Sequence, residues 1–233
     1  PIYVDRAVAA ARAAYEGPWS RMKPNERERL LWRVGDLLTE RAAEFGQLEA
    51  LDNGKAATIA TAVDTAWSAD IFRYNAGLAT KITGSTVDVP MPFVPGGEFH
   101  AYTLREPVGV CGLIVPWNFP MTIASWGFAP ALAAGNTIVL KPSDTTPETT
   151  LLMAEIAAEH MPAGVFNVVT GDRDTGRMVV EHDTPGLVAI TGSVRAGIEV
   201  AASAARNLKR AHLELGGKAP VVVFDDADIE AAV

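Results

Sequence analysis

Apolar residues recur at every third or fourth position through the first eighty residues, with charged residues between them. This period is typical of amphipathic helices that bury one face. Pro24 stands where a helix would begin, and Asn53-Gly54 stands where one would stop. The pattern therefore predicts a helical layer, with helices over residues 5–15, 24–52 and about 56–79.

Residues 86–104 have a different pattern, because Val and Pro are frequent and apolar positions alternate near the end of the stretch. Gly96-Gly97 can form a turn between two strands. The prolines of this stretch suit an edge strand and not a central one. They are Pro90, Pro92 and Pro95. We predict a protruding β-hairpin.

From Gly109 onward, short β-branched apolar runs alternate with helical stretches. This alternation favours an α/β fold, a doubly wound, Rossmann-like parallel sheet with helices on both faces. Such sheets bind ligands at the carboxyl ends of their strands. The predicted strands are residues 110–115, 137–140, 166–169, 187–190 and 221–224, and a further apolar strand ends at Glu214. The predicted helices lie near residues 123–134, 147–159, 175–181 and 195–205.

Composition narrows the classes of function. Twenty basic and 28 acidic residues give a formal net charge of −8. The sequence has no basic stripe that could neutralise nucleic-acid phosphates, so we do not expect nucleic-acid binding. No apolar run is long enough to span a bilayer and the first residues do not resemble a signal peptide, so we expect a cytoplasmic protein without a membrane partner. A single cysteine and four dispersed histidines predict neither a disulfide nor a metal site.

Two polar segments follow predicted strands and have more than one interpretation. The Pro116-Trp117-Asn118-Phe119-Pro120 loop is stiffened by its prolines. It can present the Asn118 amide to a developing oxyanion, although composition alone favours an asparagine that caps the next helix. Lys141 can reach hydroxyls or a phosphate, or it can simply be solvated.

Three later positions also have alternatives. Gly171 begins a segment that is not the usual Gly-x-Gly-x-x-Gly fingerprint, and it suits a positive-φ turn before a helix capped by Asp172 or Asp174. Ser193 suits an N-cap, at a helix start where free amides favour an anion. Glu214 would normally face solvent, but desolvation there would raise its pKa and suit a general base.

Cys111 lies inside an apolar run, where a cysteine is a small buried hydrophobe with an inert thiol. Phe119, Ile123 and Trp126 share one helical face, and such a stripe usually belongs to the core.

Four motifs occur in a fixed order: Pro116 to Pro120, Lys141-Pro142-Ser143, Ile190-Thr191-Gly192-Ser193 and Glu214-Leu-Gly-Gly-Lys218. Together they resemble the aldehyde dehydrogenase superfamily over essentially the whole chain. The resemblance implies that Asn118 helps to form the oxyanion hole and that Glu214 activates water for hydrolysis of a thioester.

The resemblance also implies the cofactor and substrate contacts. Lys141 would contact the adenosine ribose, and Asp144 stands where the family often has a glutamate, which favours NAD over NADP. The pyrophosphate would lie near Gly192 and Ser193. The complete set of implied cofactor contacts is Ile114, Val115, Pro116, Trp117, Lys141, Ser143, Asp144, Gly171, Gly192, Ser193, Leu215 and Gly216. The implied substrate contacts are Phe119, Ile123 and Trp126, which could accept an apolar or a cationic aldehyde. The sequence of residues 171–176 and 190–197 is similar to that of bacterial aminoaldehyde dehydrogenases.

In the family, the nucleophilic cysteine lies a few tens of residues beyond the position of Glu214. We therefore expect this chain to be the cofactor-binding half, with residues missing at both ends, and to bind cofactor without turnover. The expected division is a helical part (1–84), an oligomerisation hairpin (85–107), a Rossmann-like core (108–219) and the start of a catalytic domain (220–233). Exposed apolar edges would favour association of the isolated chain.

The complete enzyme would be a homo-oligomer, a dimer or tetramer, that oxidises an aldehyde to a carboxylic acid. Two other classes stay open. One is a non-catalytic nucleotide-binding or regulatory protein with the same fold. The other is an interaction module that pairs through its hairpin.

Overall fold

Helices form the first part of the chain in the computed structural model, which describes residues 2–94 and 96–232. Their bounds are Ile2–Ala14 (α1), Pro24–Glu40 (α2), Ala42–Asn53 (α3), Ala57–Ile59 (α4) and Ala66–Leu78 (α5). Wider helical turns at Tyr15–Trp19 and Ala60–Thr65 follow α1 and α4, and a 3₁₀ turn at Ala79–Lys81 follows α5.

The predicted helix over residues 24–52 is wrong in one respect, because it is two helices. Arg41 leaves the helical conformation (φ −104°, ψ 21°) between α2 and α3. Its guanidinium binds both carboxylate oxygens of Glu44 at 2.7 and 2.8 Å, in the first turn of α3. The predicted stop at Asn53-Gly54 is confirmed, since Gly54 has φ +84° and its N–H donates to the Ala50 carbonyl.

The predicted hairpin is confirmed, although its strands are short. Thr86–Val87 (β1) pairs antiparallel with Ala101–Tyr102 (β2), and Thr86 lies opposite Tyr102. Gly84 is required beside this pair, because a Cβ there would lie 1.7 Å from the Thr103 carbonyl oxygen. Pro90 and Pro92 lie in the connection, outside the paired residues, and Pro95 is outside the described residues.

A five-stranded parallel sheet forms the second part of the chain, which confirms the predicted fold class. Its strands are Val110–Ile114 (β3), Thr137–Lys141 (β4), Phe166–Val168 (β5), Leu187–Gly192 (β6) and Arg210–Leu215 (β7), in the order β5-β4-β3-β6-β7. The helices are Pro120–Ala133 (α6), Glu148–His160 (α7), Arg173–Glu181 (α8), Val194–Arg206 (α9) and Ile229–Ala232 (α10).

The predicted strand over residues 221–224 is wrong. These residues are irregular, and Val221 and Phe224 are 90% and 70% exposed. Their β-branched and aromatic composition has β-propensity, but no strand among the described residues pairs with them. Strand propensity mostly reflects packing against neighbours, so without a partner the segment does not become a strand.

Alternate residues of the central strands pack on opposite faces of the sheet. Cys111 and Leu113 belong to the larger core, which α2, α3, α5, α6 and α7 cover. Val110 packs on the other face, against Val4 and Val8 of α1 and Val179 of α8. A third cluster joins α8 and α9 to β6. Both faces of β3, β4 and β6 are therefore covered, and the loops after these strands remain free to build a site.

Within the described residues, we find no helix that is both long enough and apolar enough to cross a membrane.

Candidate functional site

Four neighbouring strands, β4, β3, β6 and β7, have their carboxyl ends together at one edge of the sheet. Ile114 at the end of β3 lies between Lys141 of β4 and Ile190 of β6. Glu214 of β7 lies beside Thr191 of β6. Residues that are far apart in the sequence are thus neighbours in a row, where parallel sheets bind ligands.

A cavity of about 470 Å³ lies between α8 and α9, above the ends of β3, β4 and β6. Its floor and walls are largely apolar and include Ile114, Val180, Ile190 and Val200. Four arginines, which sequence reasoning missed, also line it, together with two glutamates. They are Arg173, Arg177, Arg195 and Arg206, with Glu181 and Glu199. With Lys141, the cavity has a net positive set of side chains around an apolar slot.

Lys141 is the buried charged residue of this cavity, at the end of β4 and only 6% exposed. Burial lowers the pKa of its ammonium group, and the carboxylates of Asp144 and Asp172 oppose that change. Ser143 and Asp144 follow in a turn where the Ser143 and Thr145 hydroxyl oxygens are 2.9 Å apart. The structure therefore brings Asp144 near Lys141, as an exposed carboxylate.

The two helices that flank the cavity begin at side-chain caps. The Asp172 carboxylate accepts hydrogen bonds from the Asp174 and Thr175 N–H groups at 3.0 and 3.2 Å. Asp172, and not Asp174, is thus the cap of α8. Gly171 precedes it at φ +147°, where a Cβ would lie 2.2 Å from the Thr175 hydroxyl oxygen. The predicted positive-φ turn is confirmed.

Ser193 is the cap of α9, as predicted, because its hydroxyl accepts from the Ala196 N–H at 3.2 Å. Gly192 lies immediately before it, at the end of β6. The remaining N–H groups of the first turn have no partner inside the helix. Since Arg195 and Ala196 both line the cavity, the helix presents its positive end there.

A second, smaller cavity of about 280 Å³ lies on the other side of Ile114. It brings Glu214 together with Ile123 and Trp126, and Val115 and Thr191 also line it. Glu214 is exposed, as is nearly all of β7. The described residues therefore do not supply the desolvation that a buried general base would need.

The loop from Pro116 to Pro120, hereafter the 116–120 loop, connects β3 to α6. Asn118 does not cap α6, because the helix begins at Pro120 with Phe119 in the cap position. Trp117 and Asn118 are exposed. Phe119 does not line the cavity of Ile123 and Trp126, and its ring instead lies 3.7 Å from the Lys55 Nζ. Of the three residues predicted to share one helical face, Phe119 thus lies against Lys55, whereas Ile123 and Trp126 line the cavity.

Leu215, Gly216, Pro116 and Val115 lie at the same edge of the sheet. Leu215 pairs with Gly192, and the Gly216 N–H donates to the Gly192 carbonyl at 3.1 Å. Val115 donates to the Lys141 carbonyl at 3.2 Å, which places Pro116 just beyond the sheet.

Trp67 of α5 contacts Trp126, a neighbour that the sequence did not predict for it. Its ring meets the Trp126 ring edge to face, with centroids 5.4 Å apart. Both rings, with Asp70 and Tyr74, line an open cavity of about 420 Å³. Because both rings are more than 40% exposed, this pair forms an aromatic surface next to the Glu214 cavity.

Comparison with known proteins identifies the family. Residues 3–233 match the aldehyde dehydrogenase family. The chain belongs to this family. The resemblance carried by the four motifs is therefore confirmed.

Several aldehyde dehydrogenases are similar over nearly the whole chain. Phenylacetaldehyde dehydrogenase of Pseudomonas fluorescens is 47% identical over 98% of the chain, and betaine aldehyde dehydrogenase of Rhizobium etli is 46% identical over 100%. The NAD⁺ complex of a Bacillus cereus aldehyde dehydrogenase superposes with a TM-score of 0.91 and 43% identity over 98% of the chain. In each case the chain spans less than half of the relative's length, 46%, 47% and 46% respectively.

Cys111 of this aldehyde dehydrogenase chain is buried in β3 and 2% exposed. Burial raises the pKa of its thiol from 9.0 to about 12. A thiol in this state is not a nucleophile at neutral pH, which agrees with the structural role expected from the sequence.

A thiol-labelling experiment tests the state of Cys111. At pH 8 the folded chain is expected to react with a chromogenic disulfide reagent at least about 1000-fold more slowly than the urea-unfolded chain, because the higher pKa removes thiolate in that proportion. Labelling in native buffer at the rate of the unfolded control would contradict the buried thiol.

Proposed function

We propose that this chain is the NAD-binding part of an enzyme that oxidises an aldehyde to a carboxylic acid. One observation carries the proposal: the strand ends place Lys141 and the α8–α9 cavity on one side of Ile114, and Glu214 with Ile123 and Trp126 on the other. Two neighbouring cavities at one edge of the sheet support a cofactor slot beside a reaction chamber.

The α8–α9 cavity fits a dinucleotide by the chemistry of its donors. Its apolar walls suit an adenine ring, and the buried Lys141 ammonium can donate to ribose hydroxyls. The first turn of α9 at Ser193 and the surrounding arginines suit a pyrophosphate. Asp144, near Lys141, would repel the additional phosphate of NADP, so NAD is the proposed cofactor. The remaining sequence-derived contacts at residues 114–117, 143, 171, 192, 215 and 216 stay proposals.

Two side chains of this chain have proposed roles in the reaction. Asn118 donates its amide N–H to the oxygen that becomes negative when a thiolate attacks the aldehyde carbonyl. Glu214 takes a proton from the water that hydrolyses the resulting thioester. Bound NAD would accept the hydride between these two steps. The attacking thiolate would come from the other half of the complete enzyme.

The aromatic surface of Trp67 and Trp126 supports an aldehyde with an apolar or a cationic substituent, since ring faces attract both. Ile123 and Phe119 stay proposed contacts. A homo-oligomer that uses the hairpin is also proposed, and a cytoplasmic location stays a prediction.

A calorimetric titration of the chain with NAD tests cofactor binding. Replacing Lys141 with Met is expected to weaken binding about tenfold or more, because a hydrogen bond from a charged donor contributes about 1.5–3 kcal/mol. Lys81→Met, at an exposed lysine that does not line the cavity, is the matched control and should bind as the wild type does. Equal affinity in all three proteins would refute the assigned role of Lys141.

The same titration has a predicted pH dependence. Because burial lowers the pKa of Lys141 below the ordinary value of 10.5, its charge is lost at a lower pH than the charge of an exposed lysine. The affinity of the wild type should therefore fall on the alkaline side at a lower pH than an ordinary lysine would require. The Lys141→Met protein should lack this loss.

The rival class, a non-catalytic nucleotide-binding protein, makes a different prediction for the complete protein. It would bind NAD without reducing it in the presence of an aldehyde. Formation of NADH, followed at 340 nm with an aromatic and a quaternary ammonium aldehyde, decides between the two.

A further inference from the structure

The turn of residues 53–55, Asn53-Gly54-Lys55, lies directly against the 116–120 loop. The Asn53 side-chain amide donates to the Trp117 carbonyl at 2.5 Å and to the Asn118 carbonyl at 3.3 Å. Lys55 places its Nζ 3.7 Å from the centre of the Phe119 ring. Three successive residues of the loop, 117, 118 and 119, are thus each contacted by this turn.

Lys55 is itself fixed by buried carboxylates. Its Nζ lies 2.5 Å from an Asp64 carboxylate oxygen and 4.0 Å from one of Glu49, and both acidic side chains are at most 1% exposed. Glu49 also accepts a hydrogen bond from the Thr149 hydroxyl at 2.8 Å. Burial raises the pKa of Glu49, and the Thr149 hydroxyl and the Lys55 charge oppose that change. Such an array keeps the ammonium in one place, since moving it would leave two buried acids unpaired.

Gly54 determines the path of the turn. Its φ of +84° ends α3, so that Asn53 and Lys55 both point away from the helix end toward the loop they contact. The position of the turn therefore follows from the rigid helix before it and from the carboxylates beneath Lys55.

We propose that Asn53 and Lys55 are positioning residues for Asn118. The inference rests on the proposed function. An oxyanion donor is effective only when it is held in place before charge develops. The Asn118 side chain is exposed, so its position depends on the loop backbone. Asn53 holds the Trp117 and Asn118 carbonyls, which come just before and just after the nitrogen and Cα of Asn118 in the backbone. Lys55 holds the ring of the next residue, Phe119.

The test is a double-mutant cycle in the complete enzyme that contains this chain. Asn53→Ala is expected to lower kcat about tenfold, because small misplacements of a catalytic group cost up to about 100-fold. The Kd for NAD should stay within about twofold. In an Asn118→Ala background, the same substitution should change kcat less than about twofold, since no amide remains to be positioned. A purely structural role would not show this difference.

Asn167→Ala is the matched control. Asn167 also donates its amide to two backbone carbonyls, those of Ile138 and Gly164 at 3.0 and 2.7 Å, and it lies in β5, outside both cavities near Ile114. This variant should lose stability without the selective loss of kcat. An equal loss of kcat from Asn53→Ala in both backgrounds, or no loss in either, would overturn the positioning role.

A second cycle tests Lys55. Lys55→Met alone leaves buried carboxylates without their cation, so it is combined with Asp64→Asn to keep the protein folded. The pair should lower kcat when Asn118 is present and not when it is alanine.

A wild-type enzyme without NAD-dependent aldehyde oxidation would overturn the proposed function and this role with it. An active wild type with an unaffected Asn53→Ala variant overturns the positioning role alone.

Discussion

Replacing Asn118 with alanine in the complete enzyme is expected to lower kcat by about 10²–10³-fold, the usual cost of losing one oxyanion donor. The reason is the position of the side chain: it follows β3 by a short stiff loop, it is exposed, and it does not cap α6. The Asn118 amide therefore does not stabilise the start of α6, and helix capping does not explain an asparagine at this position.

The measurement is steady-state NADH formation together with the Kd for NAD. Because Asn118 does not line the α8–α9 cavity, cofactor affinity should stay within about twofold. Asn207→Ala is a suitable control, since that amide binds Asp183 on the surface at 2.9 Å. An unchanged kcat would exclude Asn118 from the oxyanion site, and a parallel loss of NAD affinity would show that the substitution acts through the shape of the loop.

Replacing Phe128 with alanine is expected to destabilise the chain by about 3–5 kcal/mol. The Phe128 ring is fully buried, it stacks on Phe166 with centroids 3.9 Å apart, and it meets Phe72 edge to face at 5.0 Å. It thus connects the helical layer, α6 and the sheet. Domains of this kind have total stabilities of about 5–15 kcal/mol, so the loss is a large share of the whole.

Urea unfolding followed by circular dichroism measures this effect. Phe93→Ala provides the contrast, because Phe93 is 80% exposed and its loss should change the free energy of unfolding by less than about 0.5 kcal/mol. Equal urea midpoints for Phe128→Ala and Phe93→Ala would contradict the packing of Phe128 between the helical layer and the sheet.

Much of the fold could be predicted because the deciding interactions are local. Gly54, Asp172 and Ser193 determine helix ends through contacts within four residues. The buried strands show as short apolar runs, since each is covered on both faces. The predicted strand at residues 221–224 failed because a strand needs a neighbour, which composition does not reveal.

The site could be predicted only in part, for a related reason. Asn118, Lys141 and Glu214 occur in motifs that a reader can recognise, and their roles stay predictions. The contacts of Asn53, Lys55 and Trp67 cannot be predicted from the sequence, because each joins a residue about 60 positions later. The arginines of the α8–α9 cavity could not be identified from the sequence either, because an exposed arginine on a helix is normally only solvated.

The central position of β3 affects how the protein is made. Its neighbour β4 follows within about 30 residues, but β6, which pairs with its other edge, begins about 70 residues after β3 ends. At about 5–20 residues per second, the β6-facing edge of this apolar strand is unpaired for about 4–15 s during synthesis. Until β6 has been synthesised, this edge of β3 has no strand of its own chain to pair with, so it is open to association with other chains.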